Sequence, residues 1–161
     1  MIFEERQRFR QWWAWVAIVL PAVVAWLLFV QQIVGGTPVG DNPAPDWFVW
    51  LFTGVMGVGF PLWFAVLTLE TTVDGDGIHV RFRNGIGRKD VAFDQIADVE
   101  ARDYRPILEF GGWGLRWGRH QRRAFSASGS RGVELTLGDG RSVLIGSQRA
   151  DELAGVIRDR L

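Results

Sequence analysis

Trp47–Leu69 reads WFVWLFTGVMGVGFPLWFAVLTL and carries no charged residue. At about 1.5 Å per residue, a helix of this length crosses the hydrocarbon core of a bilayer. The stretch therefore predicts a transmembrane span. Its far end runs without a linker into period-two alternation, with Leu67, Leu69 and Val73 on alternate positions, so a sheet-forming domain follows directly. Working backwards, Trp12–Ile33 is a second run without an ionisable residue and predicts a partner span. Arg6, Arg8 and Arg10 before it resemble the basic region of a signal peptide. The apolar stretch is too long for one, however, and no small-x-small cleavage site follows.

The connection between the spans, Gly35–Asp46, carries Asp41 and Asp46 and neither lysine nor arginine. Arg6, Arg8, Arg10, Arg81, Arg83, Arg88 and Lys89 lie beyond the other ends. Basic residues concentrate on the cytoplasmic side, so both termini are predicted there, in a two-pass topology. Trp12, Trp13 and Trp15 mark the inner boundary of the first span, and Trp47 and Trp50 the outer boundary of the second. Ala17, Pro21 and Ala25 recur every four residues, as do Thr53 and Gly57, which predicts a tight helical hairpin or, through the same strips, a homo-oligomer. Neither span holds an acidic or basic side chain or a histidine, which disfavours a channel or proton relay.

Lys plus Arg and Asp plus Glu both number 18, and the charges concentrate in the second half of the chain. That neutrality argues against a nucleic-acid partner. The absence of cysteine removes disulfide frameworks, thiolate metal sites and cysteine nucleophiles. The expected organisation is an N-terminal cytoplasmic stub and helical hairpin over residues 1–69, with spans at about 12–33 and 47–69, followed by one small domain over residues 70–161.

Within that domain, Asp74-Gly75-Asp76-Gly77 reads as a turn before alternating Ile78, Val80 and Phe82, and Asn84-Gly85 as the next turn before Val91 and Phe93. Ile96, Val99 and Ala101 predict another strand, which Pro106 ends. Gly111–Trp117 reads as irregular, with a bulged or interrupted strand. Val133, Leu135 and Leu137 alternate before Gly138-Asp139-Gly140, and Val143 and Ile145 return as a hairpin. Ser147 is placed to cap a final helix, with Ala150, Leu153, Ile157 and Leu161 along one face. The fold class is a membrane α-helical hairpin plus α+β, with about seven antiparallel strands and a C-terminal capping helix.

That order, together with Tyr104-Arg105-Pro106, Gly111-Gly112-Trp113-Gly114, Arg131-Gly132-Val133-Glu134-Leu135 and Leu144-Ile145-Gly146-Ser147-Gln148-Arg149, resembles a family of small bacterial membrane proteins with a pleckstrin-homology-like (PH-like) cytoplasmic domain. The resemblance covers roughly Leu67–Leu161. It implies a PH-like barrel or sandwich at the bacterial inner membrane and carries over no catalytic residue. One departure is the acidic first hairpin loop, Asp74–Gly77, where phosphoinositide-binding PH domains are basic.

The densest aromatic and basic stretch contains Trp113, Arg116, Trp117, Arg119, His120, Arg122 and Arg123. Aromatics interleaved with arginines suit a protein hot spot, and arginines at a membrane surface also attract anionic headgroups. The bland reading is a solvated loop whose arginines cover the tryptophans. Gly111–Gly118 lacks the terminal Gly-Lys-Ser/Thr of a phosphate loop, and Asp74 and Asp76 lack the later ligands of a calcium loop. Ser126, Ser128 and Ser130 have no nucleophile elbow around them, and the pairs Asp94 with Asp98 and Glu100 with Asp103 read as exposed charges. No catalytic, cofactor or metal site is expected. The expected function is a non-enzymatic scaffold that recruits a protein partner at the membrane face; binding of anionic lipid is the alternative, and a small membrane hydrolase a third reading.

Overall fold

The computed structural model describes residues 2–118 and 122–161. The chain divides into two compact units: Arg10–Val66, and Leu67–Leu161 together with the residues up to Phe9.

In the first unit, α1 (Trp12–Phe29) continues into a π-helical turn, Val30–Val34. The return helix comprises α2 (Asp46–Phe52), a π-helical segment Thr53–Gly59, and α3 (Phe60–Val66). The two apolar helices, Trp12–Val34 and Asp46–Val66, are 23 and 21 residues long, enough to cross a membrane. Most of their large side chains face outward, including Leu20, Leu27, Leu51 and Leu62. They meet along Ala14, Ile18, Ala22 and Ala25 on one side and Val49 and Thr53 on the other. Thr53 Oγ1 donates to the carbonyl of Ala25 at 3.1 Å, and Trp26 Nε1 to that of Gly57 at 3.2 Å.

The seam corrects the expected small-residue strip: Ala25, Thr53 and Gly57 take part, whereas Ala17 and Pro21 are exposed. At 3.6 residues per turn, each four-residue step drifts by about 40°, so Ala17 ends about 80° from Ala25. Ala14 and Ile18 stay within about 20° of Ala25 and face the partner instead. Gln32 closes the hairpin by donating to the Ala44 carbonyl at 2.6 Å and to Asp46 at 2.8 Å.

The second unit is α+β. Its first sheet is an antiparallel meander of β1 (Phe3–Arg8), β2 (Thr68–Val73), β3 (Gly77–Arg83) and β4 (Arg88–Ala92), in that order. The second contains β5 (Ile96–Asp103), β6 (Gly114–Trp117), β7 (Arg122–Ser126), β8 (Arg131–Leu137) and β9 (Ser142–Gly146), in the order β5-β8-β9-β7-β6. All neighbours are antiparallel except β7 and β9. A short helix, α4 (Pro106–Phe110), joins β5 to β6, and α5 (Ala150–Arg158) ends the fold. Val73, Ile78, Val80 and Val91 from the first sheet, Phe125, Val133, Leu135 and Ile145 from the second, and Leu153 and Ile157 from α5 are almost wholly buried. Phe82 stacks on Phe125 with ring centroids 6.3 Å apart.

The described residues therefore form nine strands in two sheets, rather than about seven, and the sheets do not close into a barrel. One added strand, β7, follows the stretch read as irregular. The other, β1, replaces the expected N-terminal stub. It buries Phe3, Glu5 and Gln7 on alternate positions and pairs with β2 from Phe3↔Val73 to Arg8↔Thr68. Two of its three inward side chains are polar, and each finds a partner beyond the strand. Ser147 Oγ donates to Glu5 at 2.5 Å, the Gln148 backbone N–H donates to the same carboxylate at 2.9 Å, and Gln7 donates to the Gly146 carbonyl at 2.7 Å. Ser147 also accepts from the Arg149 backbone at 3.0 Å, so it stands just outside α5, between β1 and the helix.

Candidate interaction site on the β6–β7 hairpin

The approach to β6 is set by glycine. After α4, Gly111 takes φ +73°; its N–H reaches the Ile107 carbonyl and that of Gly112 the Pro106 carbonyl, both at 2.9 Å. This left-handed helix end satisfies the last carbonyls and turns the chain outward. β6 then becomes the outermost strand of its sheet, paired only with β7: Leu115↔Phe125, Arg116↔Ala124, Trp117↔Arg123.

Strand alternation separates the predicted cluster into two faces. Trp117 and Arg123 share one, with the Arg123 guanidinium 5.9 Å from the centre of the Trp117 ring and the indole 66% exposed. Arg116 and Arg122 share the other. Arg116 donates to the Trp113 carbonyl at 3.0 Å, and Trp113 Nε1 to the Gly129 carbonyl at 2.8 Å. Arg122 is committed to Glu134, with Nη2 and Nε at 2.6 and 3.1 Å from Oε1. Arg119 and His120 lie outside the described residues. The open part of the cluster is thus Trp117 with Arg123. Across the sheets, Lys89, Arg123 and Arg141 converge with Leu137, Ser142 and Val143 on a recess of about 20 Å³, room for one water. Nothing local in the sequence joins Lys89 or Arg141 to this patch.

The ionic groups behind Arg122 form a chain. Arg102 Nε donates to Glu134 at 2.5 Å and its Nη2 to Glu109 at 2.8 Å, while Glu109 accepts from the Arg105 backbone at 2.7 Å. Burial pushes the Glu134 carboxyl up, but the hydrogen bonds and charges of Arg122 and Arg102 outweigh it and hold the group below its ordinary value. On the first sheet, Glu70 is surrounded in the same way. Burial raises its carboxyl, and Arg81 at 2.8 Å, Arg83 at 3.3 Å and Arg6 at 3.4 Å bring it down overall. His79 stands between Asp90 at 2.7 Å and Asp74 at 3.3 Å; the Asp90 hydrogen bond, with Asp74 in support, raises its pKa despite partial burial.

The other sequence candidates resolve as packing or surface groups. Asp74 accepts from the backbones of Asp76 and Gly77 at 3.0 and 3.3 Å, which makes it a turn former. Ser126 is buried, Ser128 accepts from Gln148 at 3.2 Å, and Asp94, Asp98, Glu100 and Asp103 are exposed. Among the described residues no three His, Asp or Glu side chains gather as a metal centre.

A family model matches residues 1–160, from before β1 to beyond α5. The chain belongs to DUF6141, a family of unknown function. No curated protein matches it. The DUF6141 match takes in both apolar helices as well as the nine strands, so the helices and the folded unit belong to one family architecture.

Proposed function

We propose that this chain is a non-enzymatic, two-pass membrane protein whose α+β unit recruits a protein partner at the cytoplasmic face of a bacterial inner membrane. The observation that carries the membrane part is the pairing of β1 with β2 over six residues: β1 precedes the first apolar helix, and β2 follows the second. Strands hydrogen-bonded in one sheet occupy one compartment. If the first helix crosses the membrane, the second must cross back. The arginines of β1 and β3 then lie on one side and only Asp41 and Asp46 on the other, the distribution found for a cytoplasmic domain. The outward apolar surfaces of both helices, with Trp12 and Trp47 exposed near their ends, suit lipid contact.

The four-stranded meander, the second sheet and the C-terminal helix support a PH-like ancestry. The strand before the first helix and the parallel β7–β9 pair are additions to the expected order. The recruiting surface is Trp117 with Arg123 on the outer hairpin: an aromatic and an arginine with no acidic partner among the described residues, beside an open strand edge, are the types and setting of an interaction hot spot.

In-cell crosslinking followed by purification tests this reading. A partner recovered with the native chain is expected to be lost from a Trp117→Ala/Arg123→Ala variant that retains native protease resistance. Equal recovery from a folded variant removes the surface from consideration.

A further inference from the structure

The turn between β3 and β4, Asn84-Gly85-Ile86-Gly87, presents Ile86 with 88% of its surface exposed, the most exposed large apolar residue described. Its shape is fixed: the Phe82 N–H bonds the Gly87 carbonyl at 2.9 Å, the Gly85 N–H bonds that of Phe82 at 3.2 Å, and Gly87 takes φ +125°. A side chain on Gly85 would stand 2.4 Å from Leu67 Cδ1, so the turn rests directly on the residue that follows the second apolar helix.

Strand direction places this turn. β2 runs away from Val66, and β3 is antiparallel to it and returns. The last rung of the sheet aligns Arg8, Thr68 and Arg83. Thr68 is two residues beyond Val66 and Arg8 four before Trp12, so only short stretches of chain join this rung to the two helices. Ile86 lies beyond Arg83, at the same end of the sheet as Arg8 and Thr68. Arg8 and Arg83 stand on this rung, and Arg88, paired with Asp90 at 2.8 Å, lies level with Arg81 two residues further in. Arg8 has no carboxylate partner among the described residues, and Arg83 shares the single carboxylate of Glu70 with Arg6 and Arg81.

We propose that the β3–β4 turn is a membrane-inserting tip: Ile86 enters the headgroup and upper acyl region of the bilayer that holds the two helices, and the surrounding arginines engage anionic phospholipid. A lone exposed isoleucine framed by cations on a rigid turn has the chemistry of an interfacial anchor. The contact gives the folded unit a third attachment besides its two chain connections and fixes which face it turns to the cytoplasm. The inference rests on the helices lying in a bilayer but is independent of the recruiting surface.

The chain has no native cysteine, so single cysteines can be introduced without background. Full-length Ile86→Cys is labelled with an environment-sensitive fluorophore and reconstituted into phosphatidylcholine vesicles with and without phosphatidylglycerol, and with a shallow spin-labelled lipid as quencher. Leu108→Cys, on an exposed apolar residue of α4, is the control for the folded unit, and Leu27→Cys the control within a helix. Position 86 is expected to emit at shorter wavelength than position 108 and to be quenched by the lipid at least about twofold more, with the difference reduced in vesicles lacking phosphatidylglycerol and in an Arg8→Gln/Arg83→Gln background. If positions 86 and 108 behave alike while position 27 is quenched, the tip is refuted and the membrane reading stands. If position 27 is itself unquenched, both fall. Lipid quenching at 86 that is unchanged by lipid charge and by the arginine changes overturns the anionic component.

Discussion

Replacing Glu5 with alanine tests whether a residue ahead of the first apolar helix stabilises a fold built mainly after the second. Its carboxylate accepts from the buried Ser147 hydroxyl and from the Gln148 backbone, 142 and 143 residues away. A hydrogen bond to a charged group contributes about 1.5–3 kcal/mol. Gln148 is exposed, so its N–H regains water in the variant, whereas the Ser147 hydroxyl loses an acceptor inside the fold. The net cost is about 2–3 kcal/mol. Through the tenfold change that each 1.36 kcal/mol represents, this corresponds to roughly 30- to 150-fold faster amide exchange where β1, β9 and α5 open together. The assay is hydrogen exchange by mass spectrometry on the full chain in lipid nanodiscs, following peptides over 68–73 and 143–153. Glu5→Gln, which keeps one carbonyl acceptor, should fall between the native chain and the alanine variant. Acceleration below about threefold in Glu5→Ala would show that β1 contributes no appreciable stability and would refute the reasoning.

Two further perturbations follow from the ionic groups. Glu134→Ala leaves Arg102, whose side chain is 19% exposed, without its closest carboxylate; a loss of about 2–4 kcal/mol is expected by urea titration, with part of it recovered when Arg102 is also replaced by leucine. No loss in the single variant would place the network outside the stability of the fold. For His79, the Asp90 and Asp74 contacts raise the folded-state pKa above the ordinary 6.5, so the folded state binds the proton more tightly than the unfolded chain. The resulting stability is fully present below the unfolded value and disappears as pH rises through the raised folded value. His79→Gln should therefore narrow the stability gap between about pH 5.5 and pH 8.5, and an unchanged gap contradicts the assignment.

Much of the fold was legible because its signals are local. The apolar runs, the turns at Asp74–Gly77 and Gly138–Gly140, and the one-sided periodicity of Ala150, Leu153 and Ile157 each lie within one short window. β1 was not, because Phe-Glu-Glu-Arg-Gln-Arg places Glu and Gln at inward positions that become tolerable only when Gly146, Ser147 and Gln148 arrive from the far end of the chain. The candidate site divided for the same reason. Arg122 looks like a surface arginine until Glu134 is brought beneath it from β8, and Lys89 and Arg141 join Arg123 only through the sheets. In the helices, small-residue spacing predicted a tight hairpin or a homo-oligomer but not the phase of the seam. The hydrogen bonds from Thr53 and Trp26 choose its phase, and spacing alone cannot supply those.

The edge position of β1 also bears on how the chain would be made. In the two-pass reading, β1 is synthesised before both hydrophobic segments and its partner β2 after them, and Glu5 meets Ser147 only once 142 further residues have been made. Were one helix to insert and the other to slip out, β1 and β2 would be separated by the bilayer, leaving β2 paired with β3 alone. Such an edge is a substrate for aggregation and proteolysis. In the two-pass reading, the sheet is complete only in chains whose two helices have both crossed.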